Sequence, residues 1–307
     1  MQEWGGIAYA LGGLDAALGE GWELVPLVKV GSDLAVEARR FVGSLRRVAE
    51  DAAPIEVPYA NDRVELRYMS EGRWSEVLHG GVPGWSWAGL QPLVGGLDAL
   101  YINLISGSEL DLETAQLLRQ HFTGPIYCDL HSLPATLSRG APRASGPIPD
   151  LAAWCACFDM MQVNEEEMAL MAPDPMALAA TALAAGVECL TVTVGARGAI
   201  YFAPAGMARL DLARRRGGAS AGRARPGETL TTAPIRTALV PAAPTLTGEG
   251  DATGCGDVWG ATYYSRLLTG DNLAVAMRAA HLAAARNLEH RGTTGLAAHL
   301  RGELGSP

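Results

Sequence analysis

An acid at the end of a glycine turn, just ahead of a long segment of helical periodicity, is a combination suited to phosphate chemistry. Residues 248–260 read G-E-G-D-A-T-G-C-G-D-V-W-G. Gly254 and Gly256 let a ligand approach the backbone without a side chain in the way, and the helix start offers free N–H groups to an anion. Asp257 is welcome there electrostatically, yet it stands where a phosphate would bind. Taking the proton from an attacking hydroxyl gives such a carboxylate a task.

Other residues could share that chemistry. Asn164 and Glu167 fall on one helix face and could hold a hydrated magnesium ion through its waters, although acids in a first helical turn are favoured by the dipole alone. Asp129 and His131 lie near the C-terminal end of an apolar run, where open α/β sheets bind ligands; a helix cap or loop anchor would use the same residues. Gly195-Ala196-Arg197-Gly198 reads as a hairpin turn. Arg214 to Arg216, Arg223 and Arg225 sit among Gly, Ala and Ser, which predicts a mobile solvated loop at 213–231, with phosphate contact as the alternative.

The composition narrows the classes. Apolar residues make up 49% of the 307 and the formal charge is −9, which describes a globular chain without a general nucleic-acid or anionic-membrane surface. No apolar run is long enough to span a bilayer and the first residues lack the order of a secretory signal, so a cytoplasmic location is expected. The five cysteines (128, 155, 157, 189 and 255) include no C-x-x-C pair, and neither a disulfide framework nor a zinc site is supported. Cys255, between two glycines, is the one with a candidate site around it.

Positioning these residues takes regular alternation of strands and helices. Residues 7–18 carry Ile7, Leu11, Leu14 and Leu18 at helical spacing behind Gly5-Gly6. Residues 23–30 (ELVPLVKV) read as a buried parallel strand and 34–48 as an amphipathic helix. From 55 to 80 the period becomes two, which predicts a small antiparallel lid. Trp85 and Trp87 then read as cover for the core edge. Strands are expected at 99–105, 125–130, 158–163, 189–194, 199–202 and 235–240, with helices at 112–122, 164–171, 177–185, 257–269 and 272–289. This is an α/β chain of three layers, α/β/α, with a mainly parallel central sheet and one domain over 1–307.

In this order, the Gly-Gly helix, strand flap, N-x-x-E segment, V-T-V-G-x-x-G hairpin and late G-D-x-T-G-x-G-D motif resemble the PfkB family of sugar and nucleoside kinases, with its ribokinase-like fold. The resemblance covers nearly the whole chain. It implies an ATP-dependent phosphotransferase acting on a hydroxymethyl group of a sugar, sugar derivative or nucleoside. Asp257 becomes the base, and Gly254, Cys255 and Gly256 supply the N–H groups of the anion hole. Asn164 and Glu167 organise Mg2+ and phosphate; Thr193, Gly195 and Gly198 match the nucleotide-side hairpin; Gly5, Gly6 and Asn103 face the acceptor. Asp251 and Thr253 match positions that in some relatives bind a monovalent cation such as K+. A homodimer through the lid is left open.

The chain also departs from the family pattern. Relatives usually begin with a strand carrying a substrate-binding Asp before the Gly-Gly pair, whereas four residues precede it here; a truncated or misassigned start and a lost strand both explain this. Ala10 stands where an Asn is common, and Asp129-Leu130-His131 where many sugar kinases show D-x-N. The alternative reading is therefore a catalytically silent relative that binds a nucleotide or metabolite and acts as a regulatory module. A dinucleotide-binding dehydrogenase and a P-loop NTPase are disfavoured, since neither G-x-G-x-x-G after a strand nor G-x-x-x-x-G-K-[ST] occurs.

Overall fold

The computed structural model describes residues 4–70, 73–135, 139–172, 174–212, 234–245 and 250–303. The arginine-rich stretch expected as a mobile loop and positions 248 and 249 of the glycine motif lie outside the described residues. In chain order, α1 (Gly6–Ala17) leads to β1 (Lys29–Gly31), α2 (Ala35–Val42) and β2 (Ile55–Val57). The hairpin β3 (Arg63–Ser70) and β4 (Arg73–His79) follows, then α3 (Trp87–Val94), β5 (Leu100–Asn103), α4 (Leu112–His121) and β6 (Ile126–Asp129). Next come α5 (Leu151–Cys155), β7 (Met160–Asn164), α6 (Glu165–Met171), α7 (Pro175–Ala184), β8 (Cys189–Thr193), β9 (Ala199–Pro204) and β10 (Ile235–Val240). The last helices are α8 (Cys255–Leu268), α9 (Leu273–Leu288) and α10 (Leu296–Leu300).

Six strands form the central sheet in the order β10-β9-β8-β7-β6-β5. β5 to β8 are parallel neighbours, while β9 and β10 add two antiparallel strands at one side. Side chains alternate across the sheet, so each strand feeds two cores. Cys128, Met161, Val163 and Val192 point to a layer holding Leu90, Leu118, Trp154 and Leu178 of α3, α4, α5 and α7. Tyr127, Met160, Cys189 and Tyr201 point the other way, to Leu14 of α1, Trp259 and Tyr263 of α8, and Met277 of α9. That alternation is the three-layer α/β/α arrangement expected from the sequence.

Local chemistry fixes several ends. Asp111 and Asn272 cap α4 and α9 by accepting the Thr114 and Val275 N–H groups, each worth about 1 kcal/mol. At the N-terminal end of the sheet, fully buried Asp159 accepts from Ile126 N–H at 2.7 Å and from Arg119 Nη1 at 2.9 Å.

Four elements differ from the expectations. Only Lys29–Gly31 of the 23–30 run is a strand, because Pro26 has no N–H for a ladder and the preceding residues make one isolated bridge, Leu24 to Val48. The second helix stops at Val42 ahead of Gly43, and Leu24 N–H then donates to the Arg47 carbonyl. Helix α3 was not foreseen; Gly89 and Pro92 obscure its pattern, and Trp87 at its start packs on the core and stacks on His121 at 4.8 Å. Ile55–Val57 pairs in parallel with β1 and not with the β3–β4 hairpin.

β5 is an edge of the central sheet, and β1 with β2 forms a separate pair. Between them lies a cavity of 1820 Å³ lined by residues that include Leu11, Leu27, Val28, Phe41, Leu100 and Ile102. Among the described residues, no helix is long and apolar enough to cross a membrane.

Candidate functional site

The C-terminal ends of β5, β6 and β7 converge on the start of α8. Gly254, the residue before α8, has φ +73, a left-handed conformation that glycine adopts without strain. A Cβ there would lie 2.2 Å from the Tyr9 ring of α1, so only glycine lets the turn close against that helix. The turn delivers Asp257 into the first turn of α8. Cys255 N–H donates to the Ala252 carbonyl at 3.1 Å, whereas Gly254 and Gly256 N–H have no partner among the described residues. The Cys255 thiol accepts from Asn287 Nδ2 at 3.3 Å and donates to the Ala284 carbonyl at 3.5 Å, and burial pushes its pKa up.

Two of the acceptor-side candidates meet Asp257. Asn103, buried at the end of β5, donates from Nδ2 to Asp257 Oδ1 at 2.6 Å. A Cβ on Gly6 would sit 2.5 Å from the same oxygen and 2.5 Å from Ile105 Cδ1, so α1 begins against the carboxylate only because residue 6 is glycine. Gly5 lies alongside, near Ile105. Burial raises the Asp257 pKa, and the His131 charge and the Asn103 hydrogen bond work in the opposite direction.

Asn164 and Glu167 form a complete capping box on α6. Glu167 N–H donates to Asn164 Oδ1 at 2.8 Å, Asn164 N–H to Glu167 Oε2 at 2.8 Å, and Asn164 Nδ2 to Glu167 Oε1 at 2.7 Å. His131 Nδ1 lies 3.2 Å from the same Oε1. Burial pulls the His131 pKa down, but the Glu167 hydrogen bond and the charges of Asp129, Glu167 and Asp257 more than offset this and hold it up at about 10. His131 has φ +20, an uncommon value for a side-chain-bearing residue and one that clusters at functional positions.

The remaining candidates surround this centre. Thr193 is paired in register with Asn164, and the Gly195–Arg197 turn with Gly198 follows directly. Asp251 Oδ1 accepts from Thr253 N–H at 2.9 Å, a bond that with the Thr253 side chain depresses the Asp251 pKa. That turn is tied to the end of α9 by Asn287 Nδ2, which donates to the Thr253 carbonyl at 2.9 Å. Among the described residues, no group of three or more His, Cys, Asp or Glu could hold a metal ion.

Sequence reasoning missed Gln162. It sits in β7 between Asp129 and the glycine turn, donating from Nε2 to Asp129 Oδ2 at 3.0 Å and to the Gly256 carbonyl at 3.1 Å, while its Oε1 accepts from Tyr127. The signal was present as one amide in the apolar run Met160-Met161-Gln162-Val163. Burial pushes the Asp129 pKa well up, partly countered by His131.

No protein-family model matches the chain, and no curated protein does so. Solved structures do. A ribokinase from Thermotoga maritima is 16% identical, with 98% of this chain and 86% of that one covered at a TM-score of 0.62. A Burkholderia thailandensis nucleoside kinase in complex with inosine is 18% identical, with coverage of 95% and 80% and a TM-score of 0.63. A pyrophosphate-dependent kinase in the ribokinase family, solved with sulfate, is 13% identical, with coverage of 95% and 89% and a TM-score of 0.67. At these identities the likeness is one of backbone arrangement over nearly the whole chain, and it establishes that this protein has the ribokinase-like α/β fold.

Proposed function

We propose that the protein is a phosphotransferase that moves the γ-phosphoryl group of ATP to a hydroxyl of a sugar, sugar derivative or nucleoside. The observation that carries this reading is the Asp257 carboxylate in the first turn of α8, held by Asn103 and flanked by two glycine N–H groups. Phosphoryl transfer asks chiefly for positioning and charge stabilisation, and this arrangement offers both.

In the reaction, ionised Asp257 accepts the proton of the acceptor hydroxyl as that oxygen forms its bond to the γ-phosphorus. The bond from phosphorus to the β,γ-bridging oxygen breaks and ADP leaves. Gly254 and Gly256 N–H face the equatorial oxygens, with the positive end of α8 behind them. Thr193, Gly195 and Gly198 line the donor side, and Gly5, Gly6 and Asn103 the acceptor side. A magnesium ion would neutralise phosphate charge and keep most of its waters, since few protein oxygens are offered to it; Asn164 and Glu167 would reach it through those waters. Asp251 and Thr253 are the residues that would hold a monovalent cation.

A panel of sugars and nucleosides, with ATP and with pyrophosphate as donors and release of ADP or phosphate as readout, tests the assignment. Turnover that depends on ATP and is abolished in Asp257→Asn is expected. ATP binding without turnover on any acceptor would overturn it and leave the binding-module reading.

A further inference from the structure

Gln162 is a buried amide whose three hydrogen bonds join the sheet to the glycine turn. It is 3% exposed, between the apolar residues Met160, Met161 and Val163 of β7. Met161 and Val163 face the core under α3 to α7, while Met160 and Gln162 face α8. An aliphatic residue would fill such a position without desolvating an amide. The fold alone gives no reason for glutamine.

The contacts supply one. Both Nε2 protons are used, one on Asp129 Oδ2 at 3.0 Å and one on the Gly256 carbonyl at 3.1 Å, and Tyr127 donates to Oε1. The amide orientation is set by its partners, because reversing it would place an oxygen against two acceptors. The Gly256 carbonyl belongs to the peptide unit that carries Asp257 N–H. Residue 260 completes the seat: a Cβ on Gly260 would lie 2.5 Å from Gln162 Oε1 and 2.7 Å from the Tyr127 hydroxyl, so glycine allows the first turns of α8 to settle on the pair. Glycines at 254 and 256 give the turn backbone freedom; the Cys255 contact with Asn287 and the Asp251 contact with Thr253 hold its start, and Gln162 is bonded to the Gly256 carbonyl, next to Asp257.

We infer that Gln162 is a positioning residue for phosphoryl transfer, tethering the Gly256–Asp257 peptide to Asp129 so that the Gly256 N–H and the Asp257 carboxylate share one fixed geometry. Gln162 touches neither substrate in this account. It acts through the turn, and the inference rests on the phosphotransferase reading given above.

The test compares Gln162→Leu and Gln162→Glu with the full wild-type chain. In Gln162→Leu, kcat should fall about ten- to hundred-fold, as expected for a slight misplacement of reacting groups, with KM for ATP and acceptor within two-fold of wild type. Gln162→Glu sets a carboxylate against Asp129 and the Gly256 carbonyl, so its rate relative to wild type should rise as pH falls and protonation restores a donor. A Gln162→Leu enzyme with wild-type kcat, or a Gln162→Glu ratio that does not change with pH, would overturn the inference. Hydrogen exchange reads the tether without activity: the hydrogen-bonded amides of Cys255 and Val258 should exchange about ten-fold faster in Gln162→Leu while β6 and β8 are unchanged, as for a local opening. Unchanged exchange at the turn would refute the tether even in a chain that phosphorylates nothing; a wild type inert on every acceptor with the exchange effect present would refute the phosphotransferase reading instead.

Discussion

Asn103 Nδ2 donates to Asp257 Oδ1 across 2.6 Å, so the end of the edge strand β5 and the start of a helix 154 positions later share one hydrogen bond. The bond stabilises the charged form of the carboxylate against the burial that opposes it. Asn103→Leu removes that donor. The Asp257 pKa should then rise further, and the acidic limb of the kcat profile should move to higher pH, with activity recovering in alkali. A profile that keeps its position would show that Asn103 does not tune Asp257.

For the wild-type protein, Asp257 must be ionised to accept a proton. Its pKa lies above the ordinary carboxylate value, so kcat should increase with pH through a group titrating above the usual Asp range. Initial rates at saturating substrates between pH 4 and 9 would report this limb directly.

Asp257→Asn should lower kcat by roughly 10²- to 10⁴-fold, the range of a lost general base. The same change should raise thermal stability. A carboxylate whose folded pKa is raised contributes stability below its unfolded pKa and loses it as pH rises through the folded pKa. At pH 8 the amide removes a charge held against burial, and melting should rise by roughly 2–4 °C. At pH 4 the gain should shrink, and differential scanning calorimetry at the two pH values would show the contrast.

Two glycines can be separated by what their added methyl meets. In Gly254→Ala the methyl enters the Tyr9 ring and the residue keeps φ +73; left-handed strain of about 1–2 kcal/mol and overpacking of about 1–3 kcal/mol should appear in urea denaturation. In Gly6→Ala the methyl meets the Asp257 carboxylate and Ile105. Its kcat should drop by about 10²-fold, with a smaller loss of stability than Gly254→Ala.

Asp159 provides the control far from the chemistry, at the N-terminal end of β7. Asp159→Ala takes the carboxylate away from the largely buried Arg119 Nη1 and removes the acceptor of the Ile126 N–H. A loss of about 3–5 kcal/mol is expected, read from urea midpoints, with KM values unchanged in the folded fraction.

The local patterns were readable because local physics writes them into neighbouring residues. Asp257 behind its glycines, the N-x-x-E capping box and the Gly195 to Gly198 turn each depend on residues within a few positions of one another. The alternating strands and helices from 99 to 204 announced the three-layer sheet for the same reason. The 23–30 run misled because apolar character was weighed above Pro26, and α3 was hidden by a glycine and a proline inside it.

Contacts between distant segments required the folded chain. That Asn103 would meet Asp257, that His131 would meet Glu167, and that Gln162 would link Asp129 to Gly256 follow from strand order β7-β6-β5 and from how α8 crosses those strand ends. Spacing along the chain carries no signal for such pairs, since strand order and helix seating arise from packing the whole core. The sequence by itself determined the glycine turn with its acid, the N-x-x-E helix start and the layered fold that carries them. Only the tertiary structure decided which partners set their charge and hold them in place.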